Sequence, residues 1–279
     1  MRKKSARLSS SRAKPKSFSS RFAGVSCRSG RTALTGLLMM AFISFGARRS
    51  TSSPAGNLPP VSRVQNELTV RDGAGRLQLR LDCAARSAII GLVVDGVEIP
   101  LGSKGVVTGF RKGTETFDTS AGLPVPFVSL DGGQVTVANI AVGPPGQGIR
   151  ETWTFCPEPA AVIWRIERQY AAGGILDDVL LPAWEFRNLT DWTSALLGTG
   201  GVAWFKLFDR VGATCGVQTD KVTLWNRDRA AALRITARPE GGRHAAVRFT
   251  RLDEDGLAMA WMVTADEVAP RYDPGTNRR

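Results

Sequence analysis

The chain has 279 residues but only one histidine, two tyrosines and four cysteines. A single His, His244, cannot form a His-cluster metal site. It also leaves any serine triad only one base to use, in the turn Glu240-Gly241-Gly242-Arg243-His244. No Gly-x-Ser-x-Gly nucleophile elbow accompanies it. Gly198-Thr199-Gly200-Gly201 lacks the Lys-Ser or Lys-Thr pair of a phosphate loop and leads into Trp204 rather than a helix. Beyond Cys27, the cysteines Cys83, Cys156 and Cys215 are too few for a disulfide scaffold and too scattered for a local zinc motif. One disulfide with a free thiol, or three buried thiols, both remain open. Neither a metal nor a cofactor is expected.

Acidic residues are missing from the first fifty positions, where twelve of the 37 basic residues lie. From Thr51 onward the chain is balanced, with 25 basic and 25 acidic residues. The net charge of +12 therefore belongs to a leader, and nucleic acid is not the expected partner of the body. Met1–Arg31 is basic and Ser-rich. Thr32–Ala47 is uncharged and apolar around Leu37-Leu38-Met39-Met40-Ala41-Phe42-Ile43, with small residues at Ser44 and Gly46. A charged region, a short apolar run and small residues are the marks of a secretory signal. The run is shorter than the roughly 20 residues that span a bilayer. Residues 1–47 are thus expected to be a disordered basic leader, cut near 46–47, of a secreted or periplasmic protein that meets the membrane only in transit. An organellar transit peptide and an anion-binding tail are the competing readings. No Cys follows the run, which argues against a lipid anchor.

Helical periodicity is nearly absent from the rest. A polar linker is expected at 48–60, a sandwich domain at 61–268 and a tail or linker at 269–279. Alternating runs flank turn signals: Asn66–Arg71 and Arg76–Cys83 around Asp72-Gly73-Ala74-Gly75, Ala88–Val94 and Val97–Leu101 around Asp95-Gly96, and Phe127–Leu130 and Gln134–Val142 around Asp131-Gly132-Gly133. Further strands are expected at Ile149–Cys156, Ala161–Tyr170, Asp178–Phe186, Val202–Phe208, Lys221–Asn226, Ala231–Ala237, Ala245–Thr250 and Leu257–Val263. So many strands in one neutral domain predict an all-β fold, a large two-sheet antiparallel β-sandwich.

Tryptophan is absent before position 153, and all seven fall between Trp153 and Trp261. Trp153, Trp164, Trp204 and Trp261 sit inside apolar or alternating runs and are expected in the core. Trp184 and Trp192 flank the polar stretch Glu185-Phe186-Arg187-Asn188-Leu189-Thr190-Asp191. Aromatic faces beside amides and carboxylates suit sugars, so Trp184, Glu185, Arg187, Asn188 and Trp192 form the candidate ligand patch. Glycoside cleavage needs two carboxylates about 5 to 10 Å apart. Glu151, Asp178 and Glu185 are the candidate catalytic acids, with Asp177 and Asp191 nearby; a solvated turn or surface carboxylate is the commoner outcome for each. Asn188-Leu189-Thr190 also matches a glycosylation sequon.

Four stretches carry a resemblance: Arg150-Glu151-Thr152-Trp153-Thr154-Phe155, Val162-Ile163-Trp164-Arg165-Ile166, Leu181-Pro182-Ala183-Trp184-Glu185-Phe186 and Gly200-Gly201-Val202-Ala203-Trp204-Phe205. In strand order and aromatic placement, Val61–Asp266 resembles the N-terminal super-sandwich, galactose-mutarotase-like in type, of large secreted six-hairpin glycosidases. That resemblance implies a non-catalytic accessory module whose partner is carbohydrate or a missing helical (α/α)6 catalytic domain, since the catalytic carboxylates of that class lie in the helical barrel. The closing Pro270–Arg279 stretch reads like an interdomain linker, as in a truncated product. Mutarotases of this type use His and a Glu base, and one turn-placed His argues against that activity. A stand-alone epimerase or glycosidase and a cell-envelope structural or interaction protein are the alternatives.

Overall fold

The computed structural model describes residues 37–44, 59–84, 86–121, 124–144, 149–170, 178–187, 194–197, 202–203, 214–226, 231–240, 243–252 and 256–264. No helix occurs among the described residues. Twenty strands do. The first ten are β1 (Leu37–Ser44), β2 (Val61–Val64), β3 (Glu67–Arg71), β4 (Leu77–Asp82), β5 (Ala88–Val94), β6 (Val97–Glu98), β7 (Leu101–Lys112), β8 (Glu115–Asp118), β9 (Phe127–Asp131) and β10 (Gln134–Val142). Then follow β11 (Ile149–Glu158), β12 (Ala161–Tyr170), β13 (Asp178–Phe186), β14 (Ser194–Leu197), β15 (Val202–Ala203), β16 (Thr214–Gln218), β17 (Lys221–Asn226), β18 (Ala231–Pro239), β19 (His244–Arg251) and β20 (Leu257–Thr264).

The strands form two antiparallel sheets. One runs β15-β14-β17-β18-β1-β12-β11-β10-β9; the other runs β16-β19-β20-β13-β7-β5-β4-β3-β2, with β6 on β5 and β8 on β7. The expected all-β sandwich is therefore the fold. Its core is one contiguous cluster drawn from both sheets, including Leu79, Leu92, Val106, Val137, Phe155, Ile166, Leu233 and Phe249. Alternation explains it locally: in β4 Leu77, Leu79 and Leu81 are buried while Gln78, Arg80 and Asp82 are only half-buried.

Turn chemistry sets the hairpins. Asp95 and Gly96 both have positive φ (49° and 76°), as a type I′ turn requires. Gly132 and Gly133 do the same between β9 and β10 (54° and 81°). Across the two sheets, the Gly73 N–H donates to the Glu158 carbonyl at 2.7 Å, tying the β3–β4 turn to the β11–β12 turn.

Three departures from the sequence reading have plain causes. The single run Val97–Leu101 is split, because Pro100 has no N–H to give a ladder. The long strand β7 escapes the alternation test because glycines interrupt it; at Gly105 (φ 69°) a Cβ would lie 2.2 Å from the Ile89 carbonyl oxygen. Third, the apolar run read as the heart of an export signal is β1. It lies inside the nine-stranded sheet, paired with β12 on one side and β18 on the other.

Candidate functional site

The strongest polar cluster is built on neighbouring strands β11 and β12. In β11, Ile149, Glu151, Trp153 and Phe155 are buried; in β12, Val162, Trp164, Ile166 and Arg168 are. A two-residue turn, Pro159-Ala160, sets Glu151 directly opposite Arg168. Both side chains are 0% exposed and ion-paired, Arg168 Nη2 to Glu151 Oε1 at 2.5 Å, with Arg168 Nε on the same oxygen at 2.6 Å. The other oxygen, Oε2, accepts from Trp153 Nε1 at 2.7 Å and from the Thr108 hydroxyl at 2.5 Å. Arg168 Nη2 also donates to the Gly109 carbonyl at 3.2 Å and the Leu180 carbonyl at 3.5 Å.

Thr108, Gly109 and Leu180 belong to the opposite sheet, so the cluster is a polar strut across the sandwich. Gly109 is there for space: a Cβ would sit 2.3 Å from the Phe117 carbonyl oxygen. Packed beside the strut, Trp153 meets Trp164 edge-on at 4.9 Å, and Trp164 stacks on Phe155 at 5.4 Å. Desolvating two charges is costly; the pairing is complete at the Glu151 carboxylate, while the buried Arg168 Nη1 has no hydrogen-bond partner among the described residues. Glu151 thus has its lone pairs occupied and no route to a substrate. A cavity of about 80 Å³ is lined by Glu151 together with Asn139, Arg150 and Gln169. That is far below the roughly 300 Å³ or more of ligand pockets.

The other expected acids fall elsewhere. Glu185, in β13, is half-buried and accepts from Arg187 Nε at 3.2 Å, with Arg187 Nη2 at 3.1 Å. Its carboxylate lies over Gly102, where a Cβ would come within 2.2 Å of Oε1. Asp178 opens β13, paired by backbone with Arg111. The structure does not bring Glu151 and Glu185 together: one is inside, the other at the rim.

Trp184 needs the clearest correction. Its indole is 1% exposed, inside the core and stacked on Phe186 at 5.9 Å. The polar residues around it in sequence do not place it on the surface, because β13 alternates and its even positions face inward. In this conformation it offers no ring face to a sugar. Of the patch, Glu185 and Arg187 sit together; Asn188 and Trp192 lie outside the described residues, as do Asp177, Asp191 and Trp204. Trp153, Trp164 and Trp261 are core residues, as expected.

Two shallow clefts are larger. One of about 470 Å³ is lined by the turns holding Gly73, Gly132, Gly133, Pro157 and Pro159. Another of about 410 Å³ takes in Asp220, Arg238, Arg243 and His244. His244 is half-buried at the start of β19, not in a turn. Among the described residues no three His, Cys, Asp or Glu side chains are grouped to hold a metal. Cys83 is a free, buried thiol. Burial, aided by the charge of Asp82, pushes the Cys83 thiol up to about 12, which makes it a poor nucleophile. Cys156 Sγ donates to Gln134 Oε1 at 3.3 Å.

No protein-family model and no curated protein sequence matches the chain. The galactose-mutarotase-like resemblance thus rests on the four quoted stretches alone.

Proposed function

We propose that the chain is a non-catalytic β-sandwich module that acts by contact rather than turnover, in the cell envelope or outside it, in the service of carbohydrate processing. The observation that supports this most is Glu151. This candidate acid is walled in by Arg168, Trp153 and Thr108 and serves the fold. The sugar connection rests on the resemblance and on the Glu185–Arg187 pair at the rim, next in sequence to Asn188 and Trp192.

Affinity electrophoresis through a panel of polysaccharides tests it. Retardation is expected for the native chain and is lost in an Arg187→Ala, Trp192→Ala double variant. Trp184→Ala is a poor probe, since emptying a buried Trp site costs about 3–5 kcal/mol whatever the ligand. Turnover of any glycoside by the purified chain, abolished by Asp178→Asn, would replace the module reading with an enzyme.

A second reading, an envelope interaction protein, draws on the sheet edge. Val125, Phe127 and Leu130 are 71%, 63% and 50% exposed on and before β9, which among the described residues pairs only with β10. Open apolar edges are features that monomers usually blunt. No retardation in any gel, together with self-association or partner capture abolished by Phe127→Lys, would favour it.

A further inference from the structure

The apolar run of the leader and the integrity of the sandwich are in conflict. Eight residues, Leu37 to Ser44, pair with Arg168 to Ala161 of β12. Six of them, Met39 to Ser44, pair with Pro239 to Arg234 of β18. β12 and β18 do not pair with each other; β1 lies between them. Neighbouring strands are about 4.8 Å apart, so the two flanking strands stand about 10 Å apart and cannot close on one another without β1. Take β1 away and the sheet falls into two four-stranded pieces, β9 to β12 and β14, β15, β17, β18.

The flanking strands carry core. Val162, Trp164 and Ile166 on β12, and Ile235 and Ala237 on β18, are buried and stand in register with β1. Removing β1 would expose a facing row of N–H and C=O groups on both strands, and among the described residues no other strand pairs there. A cut after Gly46 or Ala47 falls two or three residues past Ser44. It would carry the whole strand away.

We propose that the cleft between β12 and β18 is a strand-binding site, and that its occupant is Leu37–Ser44 of the same chain, kept in the folded protein rather than removed with a leader. The proposal is independent of the sugar reading and holds wherever the protein resides.

The test uses the full chain, with a specific protease site inserted into the connector at 45–58. The chain is folded, cut and run on a sizing column in native buffer. The N-terminal fragment is expected to elute with the body in equal amounts and to separate only in denaturant. Ala41→Pro removes a ladder N–H from a central strand, where proline is not accommodated, and is expected to release the fragment or lower the unfolding midpoint. A fragment that leaves after cutting, from a body whose circular dichroism and midpoint are unchanged, overturns the proposal. So does a folded protein isolated from its own cell whose first residue is Ala47 or Arg48. A first residue upstream of Leu37 supports it. The cut-and-separate result stands even if the proline variant does not fold.

Discussion

Two Glu–Arg pairs lie in adjoining parts of this molecule and differ in almost everything but chemistry. Glu151–Arg168 spans neighbouring strands with both side chains at 0% exposure. Glu185–Arg187 lies along one strand end, with side chains 20% and 39% exposed. Inside, water cannot screen or replace the interaction, so an unpaired donor or acceptor is costly; the Glu151 carboxylate is fully bonded, and Arg168 leaves only Nη1 without a partner among the described residues. At the rim, water competes and the pair is one arrangement among several. The buried pair therefore helps to join two sheets, while the rim pair is partly open to solvent. A carboxylate suited by type to acid chemistry becomes a structural element in one place and a surface group in the other, by environment alone.

The largest effect should come from splitting the buried pair. Arg168→Met is expected to cost about 3–5 kcal/mol, because it strands the Glu151 carboxylate in the interior. Urea unfolding of the purified variant measures it. Glu151→Leu with Arg168→Met removes both charges and should recover only part of that loss. The recovery is incomplete, since the Trp153 indole and Thr108 hydroxyl then lack their acceptor, at about 1–3 kcal/mol each. If Arg168→Met cost under 1 kcal/mol, the buried pair would behave like the rim pair and the contrast would collapse.

How much of this could be read before the structure is clear from the same residues. Strand β12 was legible to its last residue, and its parity put Arg168 with Val162, Trp164 and Ile166. Strand β11 likewise puts Glu151 with Trp153 and Phe155. A charged residue at inward parity on each of two strands joined by Pro157-Glu158-Pro159-Ala160 was the signal of a buried pair. The residue type obscures that signal, because a carboxylate beside a Trp suits acid chemistry as well as it suits a buried pair, and only its face on the strand tells the two apart. The cross-strand register, fixed by the two-residue turn, would have matched it with Arg168. Other features were not legible. In β10, buried positions shift from Val135 and Val137 to Ile140 and Val142 because a bulge with Asn139 at φ 61° inserts a residue. The partners Thr108 and Gly109 come from β7, whose glycines hide its period. The strand role of Leu37–Ser44 depends on contacts with residues more than a hundred positions away, and an apolar run alone does not say whether membrane or sheet receives it.

Between the two extremes stands Asp118, nearly buried, bonded to the half-exposed Lys104 at 2.8 Å. Burial is the largest single influence and raises its pKa. Hydrogen bonds from Lys104, the Ser120 hydroxyl and the Ser120 N–H together outweigh it and hold the carboxyl below its ordinary value of 3.8. A depressed carboxylate stabilises the fold above the unfolded pKa, and that contribution is lost as pH falls through the folded value. Lys104→Met should therefore destabilise by about 1 kcal/mol at neutral pH. The difference from the native chain should shrink below pH 3.8 and vanish once Asp118 is protonated in both. Asp72 runs the other way. Burial raises its pKa despite the hydrogen bond from the Leu77 N–H at 2.9 Å, so its charge opposes folding as pH rises through the folded value. A pH series of unfolding midpoints for Lys104→Met and Asp72→Asn should diverge in opposite directions from the native curve above pH 5. Parallel curves would mean that these carboxylates do not titrate as their surroundings require.

The smallest effect belongs to the rim. Arg187→Ala removes both contacts to Glu185 but leaves the Arg187 N–H on the Pro100 carbonyl at 3.1 Å, so the strand end stays anchored. Exposed pairs are worth about 0.2–1 kcal/mol, and the midpoint in urea should barely move. β13 is held independently of this pair by β7 and β20 on its two sides. A loss as large as that of Arg168→Met would mean that Glu185 is a structural residue too, buried in solution by the segment that follows Arg187. A small loss in stability with a large loss in polysaccharide retardation is the result that would separate the two pairs by role, one holding the sandwich together and the other facing its ligand.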